Sequence, residues 1–324
     1  MENVAFEKTP QLSRYLITGG AGFIGSYLAA ALAKAGHAIR VLDNFSTGSL
    51  SKINAHGRNL ELVEGDAAKP ECVREALRDV DGIFHLAAIP SVSASIRAPL
   101  RTQASGEVAA LNVFDEARKA GIRRVVFASS AAVYGDCKEL PIFETATMNP
   151  LSTYGVGKAA TEMYARSLAS TFANFDPVCL RFFNVFGPGQ SEESTYAGVI
   201  TLFLKCLRER RPATIFGDGE QTRDFIHVRD AVSACILAME STRSFRGGAL
   251  NIATGKGVSL DELWAILQRV AGISVDPVYE AQRTGDIRHS VAAVDESARE
   301  LLFRASIPLE TGLKEMYEAA AAPR

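Results

Sequence analysis

The stretch LITGGAGFIGS, residues 16–26, decides how the rest of the chain is read. Gly19, Gly20, Gly22 and Gly25 stand between a short β-rich run, RYLIT (14–18), and a segment, 23–35, in which Ile24, Leu28, Ala31, Leu32 and Ala35 recur at helical spacing. Read from Gly20 the pattern is GxGxxG; read from Gly19 it is GxxGxxG. Glycines permit a tight turn and a close backbone approach. The helix N-terminus behind them offers free N–H groups and the positive end of a dipole to a pyrophosphate. A glycine pattern alone is weak, but the strand before it and the helix after it supply the context that the motif requires.

Working outward, AIRVLD (38–43), LELVEGD (60–66), GIFHLAA (82–88), RRVVFASS (123–130) and PVCLRFF (177–183) read as further strands. Helical patterns fall at 70–79, 100–120 and 154–173. This βαβα alternation of apolar strands predicts an α/β fold, a Rossmann-type doubly wound parallel sheet with helices on both faces. After Asn184 the texture changes. NVFGPGQSEESTYAG is rich in Gly, Pro and Ser, and helices near 196–210, 259–271 and 309–321 alternate with short strands such as ATIFG and PVYE. The expected organisation is a dinucleotide-binding domain over 12–184, with returning segments near 224–254. A smaller α/β lobe comprises 185–223 and 255–318.

Bulk properties narrow the function. The chain has 324 residues, 47% hydrophobic and 22% charged, with a net charge of -2, so no global field draws it to nucleic acid or anionic membrane. The five cysteines are scattered and form no CxxC, and the five histidines show no metal-ligand spacing. Free thiols and no metal site are expected. No apolar run is long enough to cross a bilayer, and the N-terminus lacks the apolar core of a signal peptide, so a cytoplasmic enzyme is the expectation. Asp43 ends the second strand, 18 residues past Gly25. A carboxylate there accepts ribose hydroxyls and repels a 2′-phosphate, which favours NAD over NADP. Asp66 ends the third strand, where it either meets the adenine or caps its own loop.

A second motif, STYGVGKAATE (152–162), puts Tyr154 and Lys158 four apart on one helix face. An ammonium near a phenol stabilises the phenolate and makes Tyr154 a usable base. The strand VVFASSAAVYGD (125–136) ends in Ser129 and Ser130, 24 residues before that tyrosine. Ligands of doubly wound sheets lie at the carboxyl ends of strands, so these serines and Tyr154 are expected to face one another across the cofactor.

TGGAGFIGS, LDNFSTG, EGD, HLAA, SSAAVYG, YGVGK, LRFFNVFGPGQ, IFGDGEQTRDFIHVRD and GALNIATG follow in the order of a known family. Over nearly its whole length the chain resembles the extended short-chain dehydrogenase/reductases, in their nucleotide-sugar epimerase branch, and within it the UDP-hexose 4-epimerases. The resemblance implies that Tyr154 is the base on the sugar 4-OH, that Lys158 tunes it and holds the nicotinamide ribose, and that Ser130 hydrogen-bonds the same hydroxyl. It implies a tightly held NAD, regenerated in each cycle. The cofactor's neighbours would be Gly19, Gly22, Phe23, Ile24, Gly25, Asp43, Asn44, Ser46, Thr47, Gly48, Asp66, Ala67, Leu86, Ala87, Ala88, Ser129 and Phe183, beside Tyr154 and Lys158. The UDP-sugar would be met by Ser130, Asn184, Val199, Phe216, Arg223, Arg283, Asp286 and Ser290. Arg223 and Arg283 suit a bidentate grip on phosphate. Phe216 matches a position beside the uracil.

Ser290 matches a gate beside the sugar's C2 substituent, and a small residue there leaves room for an N-acetyl group. This favours UDP-GlcNAc/UDP-GalNAc, with UDP-Glc/UDP-Gal as lesser substrates; a UDP-glucuronate-type 4-epimerase is the alternative. Dehydratases and decarboxylases of the branch carry a carboxylate where this chain has Ala131 and Ala132, neither of which can exchange a proton. A silent NAD-binding scaffold would not need Ser130, Tyr154 and Lys158. One departure is the run RTQASGEVA, where Ser105 and Gly106 stand in place of an asparagine that touches the cofactor in relatives. Pairing of the helices at 100–120 and 154–173 would make a homodimer.

Overall fold

The computed structural model describes residues 12–53, 60–190, 198–282 and 286–321. The chain opens with β1 (Arg14–Thr18), α1 (Phe23–Lys34), β2 (Ala38–Asp43), β3 (Leu60–Glu64), α2 (Pro70–Ala76) and β4 (Gly82–His85). Next come α3 (Val92–Arg97), α4 (Pro99–Gln103), one π-helical turn at Ala104–Val108 and α5 (Ala109–Lys119). β5 (Arg124–Ser130), α6 (Thr153–Thr171) and β6 (Val178–Phe182) follow. The remainder is β7 (Asn184–Phe186), α7 (Val199–Arg208), β8 (Thr214–Phe216), β9 (Thr222–His227), α8 (Val228–Glu240), β10 (Ala249–Ile252) and β11 (Gly257–Ser259). It ends with α9 (Leu260–Ala271), β12 (Val278–Glu280), β13 (His289–Ser290), α10 (Asp295–Leu301) and α11 (Leu309–Ala321).

Seven strands form one sheet in the order β10-β6-β5-β4-β1-β2-β3, and every pairing in it is parallel. The inner strands are apolar on both faces because both faces are covered, while the edge strand β3 is largely exposed. Successive residues point to opposite sides, so Ile17, Val41, Phe84 and Val126 join Leu28, Leu32, Cys235 and Ala238 of α1 and α8 in one core. Leu16, Leu42, Ile83 and Val125 join Val113, Phe114 and Ala165 of α5 and α6 in the other. The order of connection reverses between β1 and β4, which opens a crevice at the carboxyl ends of these strands.

β9 leaves this frame and pairs with β7, β13 and β11 in a second sheet, while β8 and β12 form a two-stranded ribbon. Their core gathers Phe203, Leu204 and Leu207 of α7, Leu263, Trp264 and Leu267 of α9, and Leu313 and Met316 of α11.

Three features depart from the sequence expectations. The helix expected over 100–120 is broken into α4, the π-turn and α5, with Gly106 inside the wide turn. Pro99, which suits the first position of a helix, starts α4 separately. Helix α8 is not among the elements the sequence pattern marks, because its buried face is built largely from the small residues Ala231, Ala234, Cys235 and Ala238, which give a weak periodic signal. β10, too short to stand out as a strand in the sequence, is an edge of the main sheet.

Candidate active site

A cleft of about 810 Å³ runs along the carboxyl ends of the main sheet, a size that suits a nucleotide-sized ligand. One end is the glycine turn. Gly19 has a φ of +70°, and a Cβ on it would lie 2.7 Å from the amide nitrogen of Ala87 at the end of β4. A Cβ on Gly25 would lie 2.2 Å from the Gly19 carbonyl oxygen. The turn is therefore closed tightly against both the sheet and its own helix, and only glycine fits. Gly22 caps α1 with no side-chain hydrogen bond among the described residues, and the first turn carries no acid. The free N–H groups and dipole of this twelve-residue helix face the cleft unneutralised.

Asp43 is nearly buried at the tip of β2. Its Oδ2 accepts a hydrogen bond from Ala21 N (2.9 Å) and its Oδ1 from Phe45 N (2.8 Å), which aims the carboxylate and leaves lone pairs directed to the cleft it lines. Asp66 also lines the cleft, and its Oδ1 accepts from Ala68 N at 2.9 Å, so it caps its loop as well. Phe23, Ile24, Asn44, Ser46, Thr47, Ala67, Leu86, Ala88, Ser129 and Phe183 line the same space. Gly48 instead packs against Ala21, where a Cβ would come within 2.9 Å. Lys52, which no motif marks, also lines the cleft, as does Ser105 in the run where relatives carry the cofactor-touching asparagine. Lys52 donates to Gly189 O at 3.0 Å, a contact between segments far apart in the chain.

At the other end stand Ser130, Tyr154 and Lys158. Ser152 caps α6 by accepting a hydrogen bond from Gly155 N at 3.1 Å, which fixes the helix start one residue before the tyrosine. Gly155 lets that start press on the turn after β5; a Cβ there would lie 2.6 Å from Ala132 O. Lys158 Nζ donates to Ala128 O at 2.5 Å and sits 4.6 Å from the centre of the Phe127 ring. Burial pushes the lysine down to about 8. Burial also raises the Tyr154 phenol, opposed by its hydrogen bond with Ser130. Without ligands, the phenol holds its proton at neutral pH. Ser130 Oγ accepts from Ala132 N at 3.1 Å, and Ala131 and Ala132 form a single 3-10 turn beside it. His85 pairs its Nδ1 with Thr18 Oγ1 at 2.7 Å; burial drives it down to about 3, so it is neutral.

The second sheet supplies another group. Arg223 on β9 donates from Nη2 to Asp286 Oδ1 at 2.8 Å, and Ser290 on β13 is its register partner. Phe216 ends β8, Val199 opens α7, and Asn184 starts β7 at the cleft edge. Arg283 lies outside the described residues.

The family model for NAD dependent epimerases/dehydratases matches residues 15–253, which takes in all of the main sheet but Arg14 and both ends of the cleft. The chain belongs to the NAD dependent epimerase/dehydratase family. A putative UDP-glucose 4-epimerase of Methanocaldococcus jannaschii is 33% identical over 301 residues, covering 92% of this chain and 95% of its own. A solved UDP-N-acetylglucosamine 4-epimerase from Methanobrevibacter ruminantium, in complex with UDP-N-acetylmuramic acid, superposes with a TM-score of 0.91 at 35% identity, covering 96% of this chain and 98% of that one. A UDP-glucose 4-epimerase of Thermotoga maritima, with UDP-glucose, gives 0.89 at 33%, covering 95% and 98%. NAD is the family's cofactor, and this chain fits it. The glycine cradle that a Cβ would fill and the uncapped α1 N-terminus suit the pyrophosphate, and the Asp43 carboxylate suits an unphosphorylated ribose.

Proposed function

We propose that the protein is an isomerase, a UDP-sugar 4-epimerase that inverts C4 of UDP-GlcNAc and UDP-GalNAc and, less readily, of UDP-Glc and UDP-Gal. The observation that carries this reading is where the acids lie. Among the described residues, the carboxylates that line the cleft are Asp43 and Asp66, on the β2–β3 arm. Three strand spacings, roughly 14 Å, separate β2 from β5, which carries Ser130. Beside Ser130 stand Ala131 and Ala132. A hydroxyl, a phenol and an ammonium can move a proton on and off one oxygen, but among the described residues no carboxylate lines the cleft beside them to take a proton from a neighbouring carbon.

In this reading Ser130 and Tyr154 hold the sugar 4-OH between them, and Tyr154 takes its proton. The Lys158 ammonium stabilises the phenolate, and such a positioned base contributes roughly 10²- to 10⁴-fold. NAD, which the glycine cradle and Asp43 would hold, would supply the hydride chemistry at the sugar C4. Tyr154 then gives the proton back. Arg223 serves the diphosphate, with Asp286 beside it for the uridine ribose. Ser290, the strand partner of Arg223, leaves space at the sugar's C2 substituent.

The deciding experiment incubates the protein with UDP-GlcNAc, UDP-Glc and UDP-GlcA in D₂O and follows the products by NMR. C4 inversion without deuterium at C5 or C6 is the expected result. Deuterium at those carbons, or loss of water or CO₂, would overturn the reading.

A further inference from the structure

Ser130 and Tyr154 come from different elements, a strand and a helix, yet both must reach one sugar hydroxyl. We propose that Glu162 is a positioning residue, and that its hydrogen bond with Ser129 is the joint that holds Ser130 on β5 in place against Tyr154 on α6. The proposal rests on the epimerase reading above for the role of those two groups.

Tyr154, Lys158 and Glu162 follow one another at four-residue intervals on α6, on the face turned to the sheet. Two of them bind successive residues of β5. Lys158 Nζ donates to Ala128 O at 2.5 Å, and Ser129 Oγ donates to Glu162 Oε1 at 2.6 Å. Ser130 is the next residue, and its own side chain faces the cleft. The helix thus grips the strand at the two positions immediately before the working serine.

Glu162 is itself immobilised. Arg181 on β6, the register partner of Ser129, donates to it from Nε (2.9 and 3.2 Å) and from Nη2 (2.6 Å). Arg181 Nη1 donates to Tyr134 Oη (2.8 Å) and Glu144 O (2.9 Å), and Tyr134 Oη donates to Asn251 Oδ1 (2.6 Å). Both members of the ion pair are 1% exposed. Such a buried pair adds little net stability over an apolar pair of the same volume, because desolvation offsets the attraction. What it supplies is fixed geometry, here under the reacting serine. Its charge has a second use. Glu162 opposes the loss of the Lys158 proton, in a setting where Tyr154, His85, Cys179 and Arg181 are the other titratable or charged groups.

The test uses the holoenzyme and three variants: Ser129→Ala, Glu162→Gln and, as a control that cuts the same network at its far side, Tyr134→Phe. Stopped-flow absorbance of the nicotinamide on mixing with UDP-glucose or UDP-GlcNAc reads the hydride step. A phenolate absorbance titration, taken as a difference from Tyr154→Phe, reads the Tyr154 ionisation without any turnover. Ser129→Ala is expected to slow cofactor reduction by about 10- to 100-fold, the cost of a misplacement near 1 Å. KM for the sugar stays unchanged, and Tyr154 ionises at higher pH as Ser130 drifts from it. Tyr134→Phe is expected to lower the melting temperature and leave both readouts unaltered. A Ser129→Ala enzyme with the parent rate and the parent Tyr154 titration would overturn the proposal, as would Tyr134→Phe slowing the step equally. Ser129→Ala keeps the Glu162–Arg181 pair, so it decides the matter even if Glu162→Gln fails to fold. Cofactor reduction without C4 inversion would defeat the epimerase reading and leave the joint still measured. With no reduction by any sugar, the Tyr154 titration decides alone.

Discussion

Lys158 Nζ lies 2.5 Å from the carbonyl oxygen of Ala128, two residues before Ser130. This one contact joins the helix that carries the phenol to the strand that carries the serine. It also draws an ammonium into the protein, where burial opposes its charge. Functional position and stability therefore pull against each other at this residue.

Burial pushes Lys158 from its ordinary 10.5 down to about 8. Between those values the unfolded chain holds the proton and the folded chain releases it, so stability gains as pH rises through that window. Below pH 8 the full penalty, on the order of 3 kcal/mol, is present. Lys158→Met should thus stabilise the ligand-free protein at neutral pH by about 2 kcal/mol, after about 1 kcal/mol for the lost Ala128 hydrogen bond. The gain over the parent should shrink towards pH 10. Urea unfolding of both proteins across that range checks the point; a gain that widens with pH would be incompatible with it.

Tyr154→Phe removes the phenol oxygen and leaves the ring and the glycine cradle intact. Epimerisation should fall by roughly 10²- to 10⁴-fold, with NAD still bound. Cofactor released on denaturing the purified variant, compared with the parent, measures the second half. Loss of NAD together with activity would assign the tyrosine to binding instead.

Two glycines should respond in opposite ways. A Cβ at Gly25 would sit 2.2 Å from backbone, so Gly25→Ala should cost about 1–3 kcal/mol and empty the cofactor cradle. A Cβ at Gly106, in the π-turn, meets nothing within 4 Å, so Gly106→Ala should be neutral or stabilising by about 0.5–1 kcal/mol. Thermal melts of the two variants should separate in that order.

Ser290 sets the room at C2 in the proposed reading. Ser290→Tyr should lower kcat/KM for UDP-GlcNAc by roughly 10- to 100-fold relative to UDP-Glc. Equal losses on the two sugars would show that the serine does not gate that substituent.

On the outer side of α6, Val156 and Met163 are at least half exposed, and Ile96 and Leu100 are exposed on the neighbouring α3 and α4. An apolar surface of this kind suits an interaction site. We expect a homodimer through these helices, and Met163→Glu should shift it towards a 34.8 kDa monomer in light scattering. A parent protein that is monomeric at every concentration would refute the interface.

Much of this protein could be read in one dimension. The glycine turn, the strands ending in Asp43 and Ser130, and the Tyr154–Lys158 spacing are local patterns; hydrophobic period, turn chemistry and four-residue stacking act over a few residues. The break in the helix at the π-turn was hidden because Gly106 and Pro99 only weaken a helical pattern. Helix α8 was hidden because its buried face is built of small side chains.

What the chain alone made legible was therefore six of the seven strands of the main sheet, the glycine turn, and a hydroxyl, a phenol and an ammonium at one end of the cleft. The fold decided which groups steady and surround them. Ser129 meets Glu162 across 33 residues, and Arg223 meets Asp286 across 63. No short-range period can encode such pairings. They exist because parallel register places Ser129 beside Arg181 and Arg223 beside Ser290, and burial then makes each polar group take the partner within reach.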